Sequence, residues 1–243
     1  YMIYDIVNRQ NTHSVLLMGN TLQTAIERCR DQADVSMNLP WAFSSMGLFY
    51  LLIGKPYESL AAYAKAIQGS LHYWMIEDSL ETIDKLSVVG DSINGYEWVR
   101  RLLLVGLGAF PNPKNEVREE LKKLATGYGP ISGPVAIVVG GCDNNYGQQI
   151  QSYRDLLLAA FKGFKGTIIS CGITGGVSGL IGDVQQEHRD TIKTIGYIPL
   201  LIPPNTAIDT RYSEIRYTKG TGFSALEPVQ KWIDIITSGI DPG

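Results

Sequence analysis

Three stretches of the chain hold the residues best suited to chemistry. Gly140, Gly141, Cys142, Asp143 and Asn144 close a β-branched run that begins at Val135. Gly172, Ile173, Thr174, Gly175, Gly176, Val177, Ser178 and Gly179 close a second run, Thr167 to Ser170. Glycines at such places let the backbone turn sharply and let a ligand approach closely. Where the second stretch runs from a strand into a helix, free backbone N–H groups and the positive end of the helix dipole face outward together, which suits a phosphate. Thr174 and Ser178 add hydroxyl donors. On a purely structural reading, the same glycines allow a tight turn and close packing of helix on sheet.

The third stretch crowds Asp209, Arg211, Tyr212, Glu214, Arg216, Tyr217 and Lys219 between a strand and the last helix. Arg211, Arg216 and Lys219 are candidate cations for phosphates, and Tyr212 or Tyr217 is a candidate surface for stacking on a base. The alternative is a solvated connector with internal ion pairs. Arg154, about one helical turn beyond the first loop, reaches either a phosphate or solvent.

The remaining reactive side chains read as structural. His13, His72 and His188 are scattered without partners at metal-ligand spacing, so no metal site is expected. Cys29, Cys142 and Cys171 show no CxxC spacing and read as free thiols in a reducing, cytoplasmic setting. Asp183, Glu187 and His188 fit a solvated helix face. A net charge of -3 gives no basic footprint for nucleic acid. The longest apolar runs, Met46 to Ile53 and Leu102 to Phe110, are interrupted by glycine and are too short to cross about 30 Å of hydrocarbon. No signal peptide is read at Tyr1, and the missing initiator methionine suggests part of a longer protein.

The elements that must position the loops follow from periodicity. From Thr21 to Thr126 apolar residues recur at helical spacing, with glycine, proline and asparagine at the breaks. Phe43, Met46, Gly47, Tyr50 and Gly54 fall on one helix and its turn; Pro56 opens the next, with Ser59, Tyr63 and Ala66 on its inner face. These positions resemble one tetratricopeptide repeat, except that Leu71 stands where proline usually closes the unit. Prolines and glycines from Tyr128 to Pro134 mark a boundary near Pro130, giving a helical region over 1–129 and a second domain over 130–243. Beyond it, strands over Val135–Val139, Thr167–Ser170 and Tyr197–Ile202 alternate with helices over Gln149–Phe161, Ser178–Thr194 and Leu226–Thr237. The pattern predicts parallel strands with crossover helices, hence an α + α/β chain with a Rossmann-like second half whose ligand lies at the carboxyl ends of the strands.

The run Ile168 to Gly182, with Val135 to Asp143 before it and Arg211-Tyr212 through Phe223 and Glu227-Pro228 after it, resembles the SLOG superfamily. That Rossmann-like fold is shared by LOG enzymes and the N-terminal region of melastatin-type TRP channels, and the likeness is closer to the latter branch. It covers about Pro134 to the C-terminus. The resemblance implies a sensor of nucleotide-derived signals such as ADP-ribose, cyclic ADP-ribose or NAD-related molecules, often in microbial defence proteins, with no required cofactor. It makes Gly140, Gly141, Thr174, Gly175, Gly176 and Ser178 ligand-loop candidates, with a protein partner or effector engaged through the helical region; a homo-oligomer is a further expectation. The PGGxGTxxE segment of the hydrolytic branch is absent; Lys219-Gly220-Thr221-Gly222 does not match it. The chain stops at Gly243 before such a sheet is normally complete. An N-glycosidic hydrolase, with Glu214 or Asp143 as its carboxylate, and a pure interaction scaffold stand as the other readings.

Overall fold

Two periodicities divide the chain, a helical one before the Tyr128–Pro134 punctuation and an alternating strand-helix one after it. The computed structural model describes residues 2–140 and 147–240, and the chain separates into two units, Tyr1–Leu121 and Lys122–Gly243. Helices followed by a parallel sheet with flanking helices give the expected α + α/β, Rossmann-like class.

The helices of the first part are α1 (Met2–Arg9), α2 (His13–Leu17), α3 (Gly19–Asp34), α4 (Trp41–Leu52), α5 (Pro56–Gly69), α6 (Tyr73–Asp84), a 3-10 segment (Lys85–Ser92), α7 (Tyr96–Gly108) and α8 (Asn115–Leu124). The α4–α5 hairpin has the tetratricopeptide-like form expected. Gly47 is required by contact: a Cβ there would lie 2.6 Å from the Tyr63 ring. Ser59 Oγ donates to the Gly47 carbonyl at 2.6 Å, so the small residue and the hydroxyl close the two backbones together. Ile26 of α3 joins Met46, Tyr50 and Ala62 in the core beneath.

The second unit holds β1 (Val135–Ile137), α9 (Gly147–Gln151), α10 (Arg154–Ala160), β2 (Gly166–Ser170), α11 (Gly176–Glu187), β3 (Ile192–Pro199), β4 (Glu214–Thr218) and α12 (Leu226–Thr237). The strands are parallel, in the order β1-β2-β3-β4. Alternate side chains serve opposite faces. Ile168 and Ile192 pack with Ile181 and Val184 of α11 and with Leu157 and Leu158 of α10. Ile169, Ile195 and Tyr197 pack with Ile131 and with Ile235 of α12. All four strands therefore end along one edge, with α11 entering from one face and α12 from the other.

Element boundaries differ from the expectation in several places, among them β1, which ends at Ile137 rather than Val139. The helix expected over Ser178–Thr194 ends at Glu187, where Thr191 N–H closes a turn onto the His188 carbonyl at 3.0 Å, and β3 runs over Ile192–Pro199 rather than Tyr197–Ile202; Ile181, Val184, Ile192 and Ile195 keep helical spacing across that turn and so read as one helix. The expected helix Gln149–Phe161 is broken between Gln151 and Arg154. The charged stretch after the third strand is not a connector throughout, since Glu214–Thr218 is strand β4, paired with β3.

Candidate functional site

The edge where the parallel strands end holds the glycine loop after β2 and, beyond β1, Gly140. Gly172, at φ +79°, leaves β2 against the neighbouring strand: a Cβ there would lie 2.8 Å from Gly196 Cα. The loop is then clamped by the segment that returns from β3. Asp209 N–H donates to the Gly172 carbonyl at 2.9 Å and Thr174 N–H to the Ala207 carbonyl at 3.0 Å, around a bridge between Ile173 and Ile208. Ile173 N–H donates to Ser178 Oγ at 3.1 Å.

Such clamping fixes the start of α11 and leaves its first turn open. No side chain caps it, and the N–H groups of Gly175, Gly176 and Val177 have no acceptor among the described residues. Thr174 and Gly175 are exposed. Gly179 is needed because a Cβ would lie 2.2 Å from the Thr174 carbonyl oxygen. Gly140, beyond β1, lies against Val177, where a Cβ would come within 2.5 Å of Cγ2. Gly140, Gly172, Thr174, Gly175, Gly176, Val177 and Gly179 are thus brought together; Gly141, Cys142 and Asp143 lie outside the described residues.

The other predicted residues have different surroundings. Ser178 is buried, its Oγ sharing a 2.9 Å hydrogen bond with the Tyr212 hydroxyl, which also donates to the Ser178 carbonyl at 2.8 Å. Burial pushes the Tyr212 phenol up to about 12, and its ring lies in the core beside Ile168 and Ile181. Arg211 donates to Asp209 at 2.8 and 2.6 Å, to the Gly179 carbonyl at 2.9 Å and to Asp183. Asp183 also accepts from Arg154 Nε at 2.9 Å. The hydrogen bonds that Arg211 donates to Asp209, with help from Asp183, raise the Arg211 pKa. Arg211 and Arg154 therefore tie the loops and helices of the α11 face together.

Arg216 points to the opposite face. Its side chain is 2% exposed and pairs with Glu214 at 2.6 Å and Asp234 at 3.0 Å. It also donates to the Gly129 carbonyl at 2.7 Å and lies over the Tyr128 and Tyr197 rings. Strand alternation carries it away from the α11 loop. Lys219 is exposed immediately beyond β4, at the carboxyl edge.

Two residues on this edge were not among the site candidates read from the sequence. Glu227, in the first turn of α12, is buried and accepts from Thr218 Oγ1 and from Ser224 N–H at 2.8 Å. Ser224 Oγ in turn accepts from Leu226 N–H at 3.1 Å. The Ser224-Ala225-Leu226-Glu227 sequence is the S-x-x-E signature of a capped helix start and signals this arrangement. One turn later Lys231 is 3% exposed. Burial lowers its pKa, and the neighbouring Cys171 and Glu227 oppose this.

No family model matches the chain, and no curated protein or solved structure matches it either.

Chemically, this edge offers donors and positive charge. The open N–H groups of α11, Thr174 and Lys219 all favour an anionic group. Among the described residues, no group of three or more His, Cys, Asp or Glu could hold a metal ion, and no helix is long and apolar enough to cross a membrane.

Proposed function

We propose that the Lys122–Gly243 unit is a binding module for a nucleotide-derived signal of the ADP-ribose, cyclic ADP-ribose or NAD-related class. In this reading it is a cytoplasmic sensor, and the helical region passes occupancy to a protein partner or effector, as in microbial defence proteins. One observation carries the reading: a glycine-rich loop is clamped in place and yet, among the described residues, leaves the first turn of α11 uncapped. A helix start with free N–H groups at the carboxyl edge of a parallel sheet is suited to a phosphate. The resemblance of Ile168–Gly182 to melastatin-type SLOG domains supports the same ligand class.

Hydrolysis is the weaker reading for this site. Glu214, one of its candidate carboxylates, is engaged by Lys193 and Arg216, each at 2.6 Å. A carboxylate held in two ion pairs is poorly placed to act as a general acid or base at the ribose.

Calorimetric titration of the chain with ADP-ribose, cyclic ADP-ribose, NAD and AMP, with each ligand followed for breakdown, tests the proposal. Saturable binding of an intact ligand is the expected result. Turnover makes the module an enzyme, and no binding of any of the four overturns the reading.

A further inference from the structure

Large apolar side chains of the helical unit gather at its surface around one contact. A Cβ on Gly69, at the end of α5, would meet the Pro40 side chain at 3.7 Å, so the end of α5 lies against the start of α4. Leu39 and Trp41 flank Pro40, and Leu71 and Trp74 follow Gly69 by two and five residues. The Trp41 and Trp74 rings, tilted by 39° with centroids 5.5 Å apart, join the two sides across α4 and α6. Leu71 is 82% and Trp74 54% exposed, Leu39 is exposed as well, and Trp41 is half-buried. Apolar residues scattered singly are normal on a surface, whereas a contiguous patch marks a place of contact.

The free charges beside the patch are of one sign. Asp31 and Asp34 share a face at the end of α3, which leads through a short turn into Leu39, and Asp78 and Glu81 follow Trp74 by four and seven residues on one face of α6. All four are exposed, and none is in an ion pair among the described residues. Two neighbouring cations turn elsewhere. Arg30, one turn before Asp34, donates to the Tyr50 hydroxyl at 2.7 Å. Lys114 pairs with Glu77 and lies over the Tyr73 ring.

That sign selects the occupant. A second copy docking through the same patch would bring the carboxylates of both chains together, and like charges facing each other across an interface are costly. Anionic lipid headgroups and nucleic-acid phosphates are opposed for the same reason. A segment with apolar anchors and flanking lysines or arginines meets both parts of the surface. Its anchors cover the tryptophan pair, and its cations reach the carboxylates or lie over an indole face.

We infer that the patch around Leu39, Trp41, Leu71 and Trp74 is the docking surface for a basic, apolar-anchored segment of a partner protein. This rests on the reading that the helical region engages a protein partner, and adds to it the place and the partner's chemistry. It needs nothing of the glycine loop.

The test uses the full chain and two labelled synthetic amphipathic peptides, one of leucine and lysine and one of leucine and glutamate, with binding read by fluorescence anisotropy. The lysine peptide is expected to bind saturably and the glutamate peptide not to bind. Trp74→Ala should weaken the lysine peptide about 30-fold, the loss usual for an aromatic interface anchor. Leu71→Ser, at a side chain already exposed to water and so without effect on folding, should weaken it roughly fivefold. Asp78→Lys with Glu81→Lys should weaken it about tenfold and flatten its salt dependence. Tyr57→Ser, at an exposed aromatic at the opposite end of α5, should leave it unchanged. Saturable binding that survives both Leu71→Ser and the double charge reversal overturns the patch and leaves a protein partner at another face of the helices. No binding of the lysine peptide, or equal binding of the two peptides, overturns the partner's inferred chemistry. A wild-type dimer in sedimentation equilibrium that Leu71→Ser dissociates also overturns the inference, because the patch then belongs to a second copy. ADP-ribose titration of the same variants keeps the ligand reading separate, since none of the substitutions touches the sheet domain's loops.

Discussion

Replacing Asp234 with alanine should destabilise the sheet domain more than most single substitutions. Its carboxylate is 2% exposed and accepts five hydrogen bonds. Thr126 N–H and Gln230 Nε2 reach Oδ1 at 3.1 and 3.0 Å. Thr126 Oγ1, Tyr197 Oη and Arg216 Nη1 reach Oδ2 at 2.6, 2.7 and 3.0 Å. Asp234→Ala strands those donors and leaves Arg216, equally buried, with Glu214 as its remaining ion-pair partner. Removing one member of a buried pair costs about 3–5 kcal/mol. At about 1.4 kcal/mol per factor of ten, amide-exchange protection in β3 and α12 should fall by roughly two to three and a half orders of magnitude. Hydrogen–deuterium exchange read by mass spectrometry gives this locally, without requiring the whole chain to unfold in one step. Arg216→Met removes the stranded charge, so Asp234→Ala with Arg216→Met should lose less than the two single losses summed, by about 1–3 kcal/mol. A loss below about 1 kcal/mol in Asp234→Ala, or strict additivity of the pair, refutes the claim that this network holds the domain together.

Three further outcomes follow from the same geometry. Gly179→Ala places a Cβ 2.2 Å from the Thr174 carbonyl; it should shift the loop, lower stability by about 1–3 kcal/mol and reduce ADP-ribose affinity, and unchanged binding by calorimetry counts against the loop as ligand site. Gly47→Ala meets the Tyr63 ring at 2.6 Å and should cost about 1–3 kcal/mol, read as faster amide exchange in α4 and α5. Burial pushes the Glu214 pKa up, but hydrogen bonds from Lys193 and Arg216 win and hold it below its ordinary value of 4.5. Its stabilising contribution is therefore present above that value and lost as the pH falls through the depressed folded-state pKa. Glu214→Gln should be less stable than wild type at neutral pH and converge with it in acid, and a difference that persists in acid contradicts this sign.

What the sequence announces, and what it hides, follows from how far the deciding interactions reach. The α4–α5 hairpin is legible because Gly47, Ser59 and Tyr63 meet across one short turn, and their spacing is set by that contact. The glycine loop after β2 is legible for a similar reason, since a strand running through glycines into a helix is a local pattern. Strand β4 was hidden by its charges. Glu214 and Arg216 read as loop residues, for a ligand or for solvent, until Asp234, 18 residues beyond Arg216, and Gly129, 87 residues before it, are in place to receive the guanidinium. The start of β3 was hidden by isoleucines that keep a helical spacing through a turn. Lys231 gives no local signal, because a lysine in an amphipathic helix ordinarily lies on the wet face, and only the path of α12 across the sheet buries it.

The central claim concerns where a ligand sits, and amide chemical-shift mapping addresses it most directly. On addition of ADP-ribose or NAD to the isotope-labelled chain, the account predicts that the largest perturbations fall on the amides of Gly140, Gly172–Gly179 and Lys219–Ser224. Perturbations centred on the α4–α5 hairpin, or no perturbation with either ligand, would contradict it.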